Sequence, residues 1–235
     1  MSTLLSLPTR EIAGITIPDT PLVNKAIAYA REQGDDFTYN HVMRSFLFAI
    51  ASVPVVATAV PDYHVDYEAL AISTVLHDLA WSVDSDKCSA DKRFEVDSAN
   101  AARQFLAVEA GNDPSWDPHR VQLVWDAIAL HTTTSIAIHK QPEVMVAHIG
   151  ISADFKGPDV FPGGKGPLTW EAFNEVVKVF PRENFKEGVK KILCELCRKK
   201  PNTTYDTFVG DFGEKYVEGY DRTGKKPSDL IENTI

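Results

Sequence analysis

Cysteine is scarce in this chain: Cys88, Cys194 and Cys197 are the only three in 235 residues. An odd, low count excludes a disulfide-built scaffold and suits a reducing, cytosolic compartment. Cys194 and Cys197 form a CxxC in "CELC", but no second pair accompanies it to close a zinc ribbon. No βαβ unit precedes it, as a redox motif would require. The pair reads as two thiols one helical turn apart. Long apolar runs are missing as well. The most apolar stretch, "FLFAIASVPVVATAV" (46–60), is too short and too interrupted to span a bilayer. The opening "MSTLLSLPTREIAGITIPDT" has no basic region ahead of its apolar patch and does not read as a secretory signal. An excess of basic charge is also absent. The formal net charge is −9, which argues against nucleic acid or an anionic membrane surface as partner and leaves a small-molecule substrate. Acidic, soluble, all-α chains of this size commonly pair as homodimers, although no segment names an interface.

Hydrophobic residues make up 44% of the chain and charged residues 24%. That profile belongs to a folded protein with one sizeable core. Period-two alternation is rare and helical spacing is common. "PLVNKAIAYAREQG" starts on a proline and stops on Gly34. "FTYNHVMRSFLFAIASVPV" places Val42, Phe46, Ile50 and Val53 on one face. "DYEALAISTVLHDLAW", "EVDSANAARQFLAVEAG", "PHRVQLVWDAIALH" and "PEVMVAHIGISADFKG" read as further helices, as do three segments after residue 167. Between the two sets, "GPDVFPGGKGP" (157–167) packs four glycines and three prolines into eleven residues and reads as a surface loop. The fold class expected is all-α, a single bundle of roughly seven to nine helices. Residues 1–20 read as an irregular N-terminal arm, 21–222 as the domain, and 223–235 as a polar C-terminal tail.

Against this apolar background a few polar side chains stand out. His77 and Asp78 sit side by side in "TVLHDLAWS", His41 lies in "YNHVMRSF", and Asp154 in "GISADFKG". Buried acids and imidazoles are costly unless something pairs with both. Imidazole nitrogen and carboxylate oxygen together suit Zn²⁺, Fe²⁺ or Mn²⁺. A divalent cation would compensate all four groups at once.

The order His41, His77-Asp78, Asp154 resembles the HD-domain superfamily of metal-dependent hydrolases. "NHVMRSF" is similar to the N-H-x-x-R-x-F opening of its cyanamide hydratase-like branch, found in fungi. "LHDLA", "FEVDSANAARQFL", "AIALH" and "FPRENF" resemble later segments of the same branch. The likeness runs over about residues 38–185. It implies one divalent metal, Zn²⁺ first with Fe²⁺ or Mn²⁺ as alternatives, held by His41, His77, Asp78 and Asp154. The implied activity is a hydratase or hydrolase in which activated water adds to a small C–N substrate. His131 would lie near the metal as a proton donor or substrate orienter, with Asp78 the other catalytic group. Thr132, Thr133 and Thr134 offer hydroxyls. Lys92, Arg93 and Glu95 could reach the substrate, and Arg44, on the face of His41, would buttress a ligand carboxylate. The chain departs from the branch at "LHTTTS" and at Ala80, Trp81 and Ser82. Both places face the substrate, so a substrate other than cyanamide is expected, with Trp81 shaping the pocket.

Two other activities fit the superfamily. A phosphohydrolase acting on a nucleotide or phosphate ester would need a basic pocket, for which Arg44, Lys92, Arg93 and Lys156 are the candidates. A dinuclear iron oxygenase would need two more histidines between Asp78 and Asp154, drawn from His119, His131, His139 and His148.

Overall fold

A computed structural model describes residues 6–59, 64–160 and 168–232. The chain opens on two short strands, β1 (Thr9–Ile12) and β2 (Ile15–Pro18), paired antiparallel with Ile12 opposite Ile15. The arm expected to be irregular therefore carries a hairpin. Ala13 (φ 51°) and Gly14 (φ 75°) make its two-residue turn, both with positive φ. The primed turns that match strand twist need that combination, usually announced by Asn-Gly, and the alanine hides the signal. Ile15 and Ile17 point into the core while Thr16 faces out.

Helices follow: α1 (Pro21–Gln33), α2 (Asp36–Ala59), α3 (Tyr67–Leu76), α4 (Phe94–Glu109), α5 (Pro118–Ala129), α6 (Thr134–Ala137) and α7 (Pro142–Lys156). After them come α8 (Trp170–Val179), α9 (Phe185–Lys199), α10 (Val209–Tyr216) and α11 (Pro227–Glu232). The described residues thus form the expected all-α bundle. The helices beyond the expected number are the single turn α6 and the short α11, which lies in the tail read as merely polar. Of the Gly/Pro loop, Pro158–Val160 form a 3₁₀ turn and residues 161–167 lie outside the described residues. No described helix is long and apolar enough to cross a membrane.

Local chemistry explains the boundaries. Thr20, Asp66, Asp117 and Thr169 each accept a hydrogen bond from a free amide of the following first turn, at 2.8–3.2 Å. Pro21, Pro118 and Pro142 occupy first-turn positions, where their missing N–H costs nothing. α2 and α7 form the most extensive helix pair and cross at Gly150. A Cβ there would stand 2.4 Å from the Ala49 backbone nitrogen, so the crossing is closer than any side chain allows. Phe46, Leu47 and Phe48 of α2, Leu70 and Ile72 of α3, and Val144 and Val146 of α7 fill the main core.

A second, smaller core gathers Trp81 and Phe94 with Phe185, Val189, Leu193 and Val209 from α9 and α10. Cys194 and Cys197 are buried free thiols one turn apart on α9, as the spacing suggested.

Candidate metal centre

The polar residues singled out in the sequence lie where the main core meets the smaller one. His41 and Arg44 come from the second turn of α2. Asp154 comes from the last turn of α7, which the Gly150 crossing holds against α2. His77 caps the C-terminus of α3, and Asp78 follows it in a turn instead of continuing the helix. Residues 77–80 leave helical geometry there, with Leu79 N–H reaching back to the Leu76 carbonyl at 3.5 Å and Trp81 N–H to that of Asp78 at 3.3 Å. His131 stands just past the end of α5. All these side chains are buried.

The geometry fixes which nitrogen of each imidazole is free. His41 Nδ1 lies 2.7 Å from Asp154 Oδ2, His77 Nδ1 lies 2.8 Å from the Thr74 carbonyl, and His131 Nδ1 lies 2.7 Å from the Ile128 carbonyl. Ionised carboxylates and carbonyls only accept, so each Nδ1 carries a proton and donates it. Each Nε2 is then left with a lone pair. His41 Nε2 and His77 Nε2 face each other at 3.3 Å, and Asp78 Oδ2 lies 3.3 Å from the first and 3.1 Å from the second. His131 Nε2 is 3.7 Å from the other oxygen of Asp78. Asp78 Oδ1 is buried and has no hydrogen-bond partner among the described residues.

Lone pairs and a carboxylate facing one another repel unless a cation lies between them. Burial pushes the His41 imidazole down, but hydrogen bonds to Asp154 and Asp78 outweigh it and the pKa is raised. Asp78 is likewise pushed up by burial, yet the His77 charge and the hydrogen bonds from both histidines hold its carboxyl far below the usual range. Burial, reinforced by the His77 charge, drops the His131 pKa to about 3, so that ring is neutral at pH 7. His41, His77 and Asp78 thus form a buried donor group that could hold a metal ion.

Asp154 does not join the group facing His41 Nε2. It sits on the Nδ1 side of the His41 ring, where Arg44 grips both its oxygens, Nε to Oδ1 at 2.8 Å and Nη2 to Oδ2 at 2.7 Å. Arg44 also donates through Nη1 to the carbonyls of Phe180 (3.2 Å) and Pro181 (2.8 Å). Arg182 adds a hydrogen bond to the Asp154 carbonyl and brings its Nε to 3.3 Å from Oδ1. Sequence reasoning gave Arg182 no role of its own. Only the Phe-Pro-Arg turn in which it lies was noted, and its contact with α7 is tertiary.

The remaining expected residues divide. Trp81 stacks on the His41 ring at 5.2 Å between centroids and 16° between planes, with its indole N–H donated to Thr38 Oγ1 at 3.1 Å. Glu95 is buried and accepts from Thr132 Oγ1 at 2.6 Å, its other oxygen lacking a partner among the described residues. Burial outweighs that hydrogen bond and raises the Glu95 pKa. Lys92 and Arg93 point outward, to Asp91 and Asp206. Thr133 forms the N-terminal boundary of α6, its carbonyl accepting from Ile136 and Ala137. Lys156 is exposed at the end of α7, and His119 and His139 are exposed too. His148, in contrast, is buried and donates Nδ1–H to the His131 carbonyl at 2.6 Å.

A cavity of about 300 Å³ opens onto this cluster, with His41, Asp78 and His131 at its base. Thr132, Thr134, His148 and Ser152 add polar atoms, and the rest of its wall is aromatic or aliphatic. Neither lysine nor arginine is among the described residues that line it. A more polar cavity of about 510 Å³ lies across Trp81, which forms a wall of both, as does Asp78.

Neither a family model nor a curated protein matches this chain.

Proposed function

We propose that the protein is a metal-dependent hydratase or hydrolase of HD type, acting on a small substrate with a C–N multiple bond. His41 Nε2, His77 Nε2 and Asp78 would hold one divalent cation, with Zn²⁺ the best match to two imidazoles and a carboxylate. The observation that carries the reading is the convergence of two imidazole lone pairs and a carboxylate oxygen at 3.1–3.3 Å, with every Nδ1 already committed elsewhere. The order His41, His77-Asp78 and its likeness to HD hydrolases support it. A cation in that position supplies hydroxide near neutral pH and polarises the bond to be attacked.

The chain's own groups supply the rest. Asp154 holds the His41 ring by its Nδ1–H and so keeps Nε2 aimed at the centre, while Arg44 and Arg182 keep Asp154 ionised and in place. Neutral His131, its Nδ1–H committed to the Ile128 carbonyl, offers Nε2 as a hydrogen-bond acceptor that would orient the attacking water or the substrate. Trp81, stacked on His41, keeps bulk water off that ring. The phosphohydrolase alternative lacks the cationic wall it needs: Arg44 is spent on Asp154, and Lys92 and Arg93 face solvent. The oxygenase alternative has less support, because the donor atoms that gather within 4.8 Å of one another among the described residues come from His41, His77 and Asp78 alone, and His119 and His139 are exposed.

The test is elemental analysis of untagged protein purified without chelators. About one zinc per chain is expected, and His77→Ala and Asp78→Ala should each lose it while the helical circular dichroism persists. Full occupancy in either variant would mean that these residues are not the ligands.

A further inference from the structure

The cavity above the candidate metal centre is unlike a site for a molecule of three non-hydrogen atoms such as cyanamide. Its volume is about 300 Å³. A water takes roughly 30 Å³ of liquid, so the space fits a body of about ten non-hydrogen atoms. Its polar side chains are the buried His41, Asp78 and His131, joined by Thr132, Thr134, His148 and Ser152. The rest of the wall is apolar: Phe155 and Phe94 lie against the His41 and His131 rings, 5.4 and 5.8 Å between centroids, and Phe208, Phe212, Val189 and Leu193 extend it. Two of these are left wet: Phe155 is 48% exposed and Phe208 is 38% exposed. Large aromatic side chains at the mouth of a cavity cost hydration that the fold does not recover, and a ligand's apolar surface would cover them.

Charge points the same way. No lysine or arginine lines the cavity among the described residues. An anionic group away from the metal would be taken out of water with no partner, against Phe and Leu.

Resting on the proposed hydratase reading, we infer that the substrate carries its C–N group on a neutral aromatic or branched apolar body. The C–N group points to His131 and the metal ligands, and the body seats between Phe155, Phe208 and Phe212. Phe155 and Phe208 are both part of the wall and open to solvent; Phe208, at the start of α10, is the one of the two that does not touch the His41 ring, and so the one to vary.

The experiment measures binding and turnover separately on the zinc-loaded protein, with benzonitrile, acetonitrile and phenyl phosphate as probes. Binding is read by ligand-observed NMR. Benzonitrile is expected to bind on the order of 100-fold more tightly than acetonitrile, since even one methylene in an apolar pocket is worth about 10-fold or more. Phenyl phosphate is expected to bind more weakly than benzonitrile. Phe208→Ser should weaken benzonitrile about tenfold, Phe208→Leu should restore most of the loss, and neither should change metal content. Equal affinity for the two nitriles, tightest binding of phenyl phosphate, or no effect of Phe208→Ser would overturn the inference. Benzonitrile that binds as expected but is never hydrated would leave the inference standing and sink the hydratase reading. Hydration of both nitriles with equal kcat/KM would do the reverse.

Discussion

Arg44 is where the structure stakes most on one side chain. It is 1% exposed and makes four hydrogen bonds, two to the Asp154 carboxylate and two to the carbonyls that end α8 and begin the next turn. Its guanidinium also lies 5.0 Å from the Phe185 ring centre. Arg44→Met keeps the apolar stem and removes the fork. Asp154 then retains His41 Nδ1 and the less well placed Arg182, but loses its bidentate partner, and two carbonyls lose their donor. Removing one partner of a buried ion pair costs about 3–5 kcal/mol. For a chain of this length each kcal/mol moves Tm by about 2–4 °C, so a fall of roughly 6–20 °C is expected at pH 7. The wild-type contribution has a definite pH sign. Burial pushes the Asp154 carboxyl up, but its bonds to His41 and Arg44 outweigh burial and hold it below the usual range. The folded state therefore binds fewer protons than the unfolded one. Its contribution is whole above the ordinary carboxylate value of about 4 and fades as pH drops through the lowered one. In Arg44→Met burial is no longer outweighed to the same degree, so the stability lost on acidification below about pH 4 should be smaller than in the wild type. The double variant Arg44→Met with Asp154→Asn removes the stranded charge, and its cost should fall short of the summed single costs by about 1 kcal/mol or more. Thermal melts by circular dichroism at pH 7 and at steps below about pH 4 decide the matter. A loss under about 1 kcal/mol for Arg44→Met, the size of an exposed pair, would refute the account of Asp154 as a buried, gripped carboxylate.

Two further outcomes follow from the same geometry. Asp154→Asn should lower zinc affinity about 10- to 100-fold without abolishing it, because it leaves all three facing donors in place. Competition with a chromophoric chelator measures this, and total loss of metal would make Asp154 a ligand after all. Gly150→Ala should cost at least about 1–3 kcal/mol, because the added methyl lies 2.4 Å from the Ala49 nitrogen and α2 must shift. A urea melt with unchanged midpoint would show that the crossing has slack.

The helices were legible because their signals are local: a Thr or Asp cap, a proline in the first turn, an apolar face every third or fourth residue. Pro21 and Gly34 marked the two ends of α1 in the sequence, and the caps Thr20 and Asp117 that the structure shows before Pro21 and Pro118 are signals of the same local kind. The hairpin was not, since strands of four residues offer only Ile15 and Ile17 as alternation and Ala13 replaces the usual turn residue. At the site, His41, His77 and Asp78 were readable as polar residues in apolar surroundings, and the structure brings them together. Asp154 was read as a fourth ligand, whereas the structure sets it behind the His41 ring, on Nδ1. Which face of an imidazole a carboxylate meets depends on how α7 crosses α2, and no spacing within either helix encodes it. Lys92 and Arg93 show the converse. Their charge and position after the His-Asp pair suggested substrate contact, yet each finds an acidic neighbour on the surface.

The two hydrophobic cores divide the labour of the pocket. The candidate donor side chains hang from α2, the end of α3 and the end of α5, rooted mainly in the larger core, while much of the wall comes from α9 and α10, which pack in the smaller one. The two meet where Trp81 and Phe185 lie against the His41 ring. On the proposed reading, substitutions at Val189, Leu193, Phe208 and Phe212, away from that meeting point, would change what is admitted while leaving the donor atoms where they are. A library confined to those positions is then the economical place to seek new substrates.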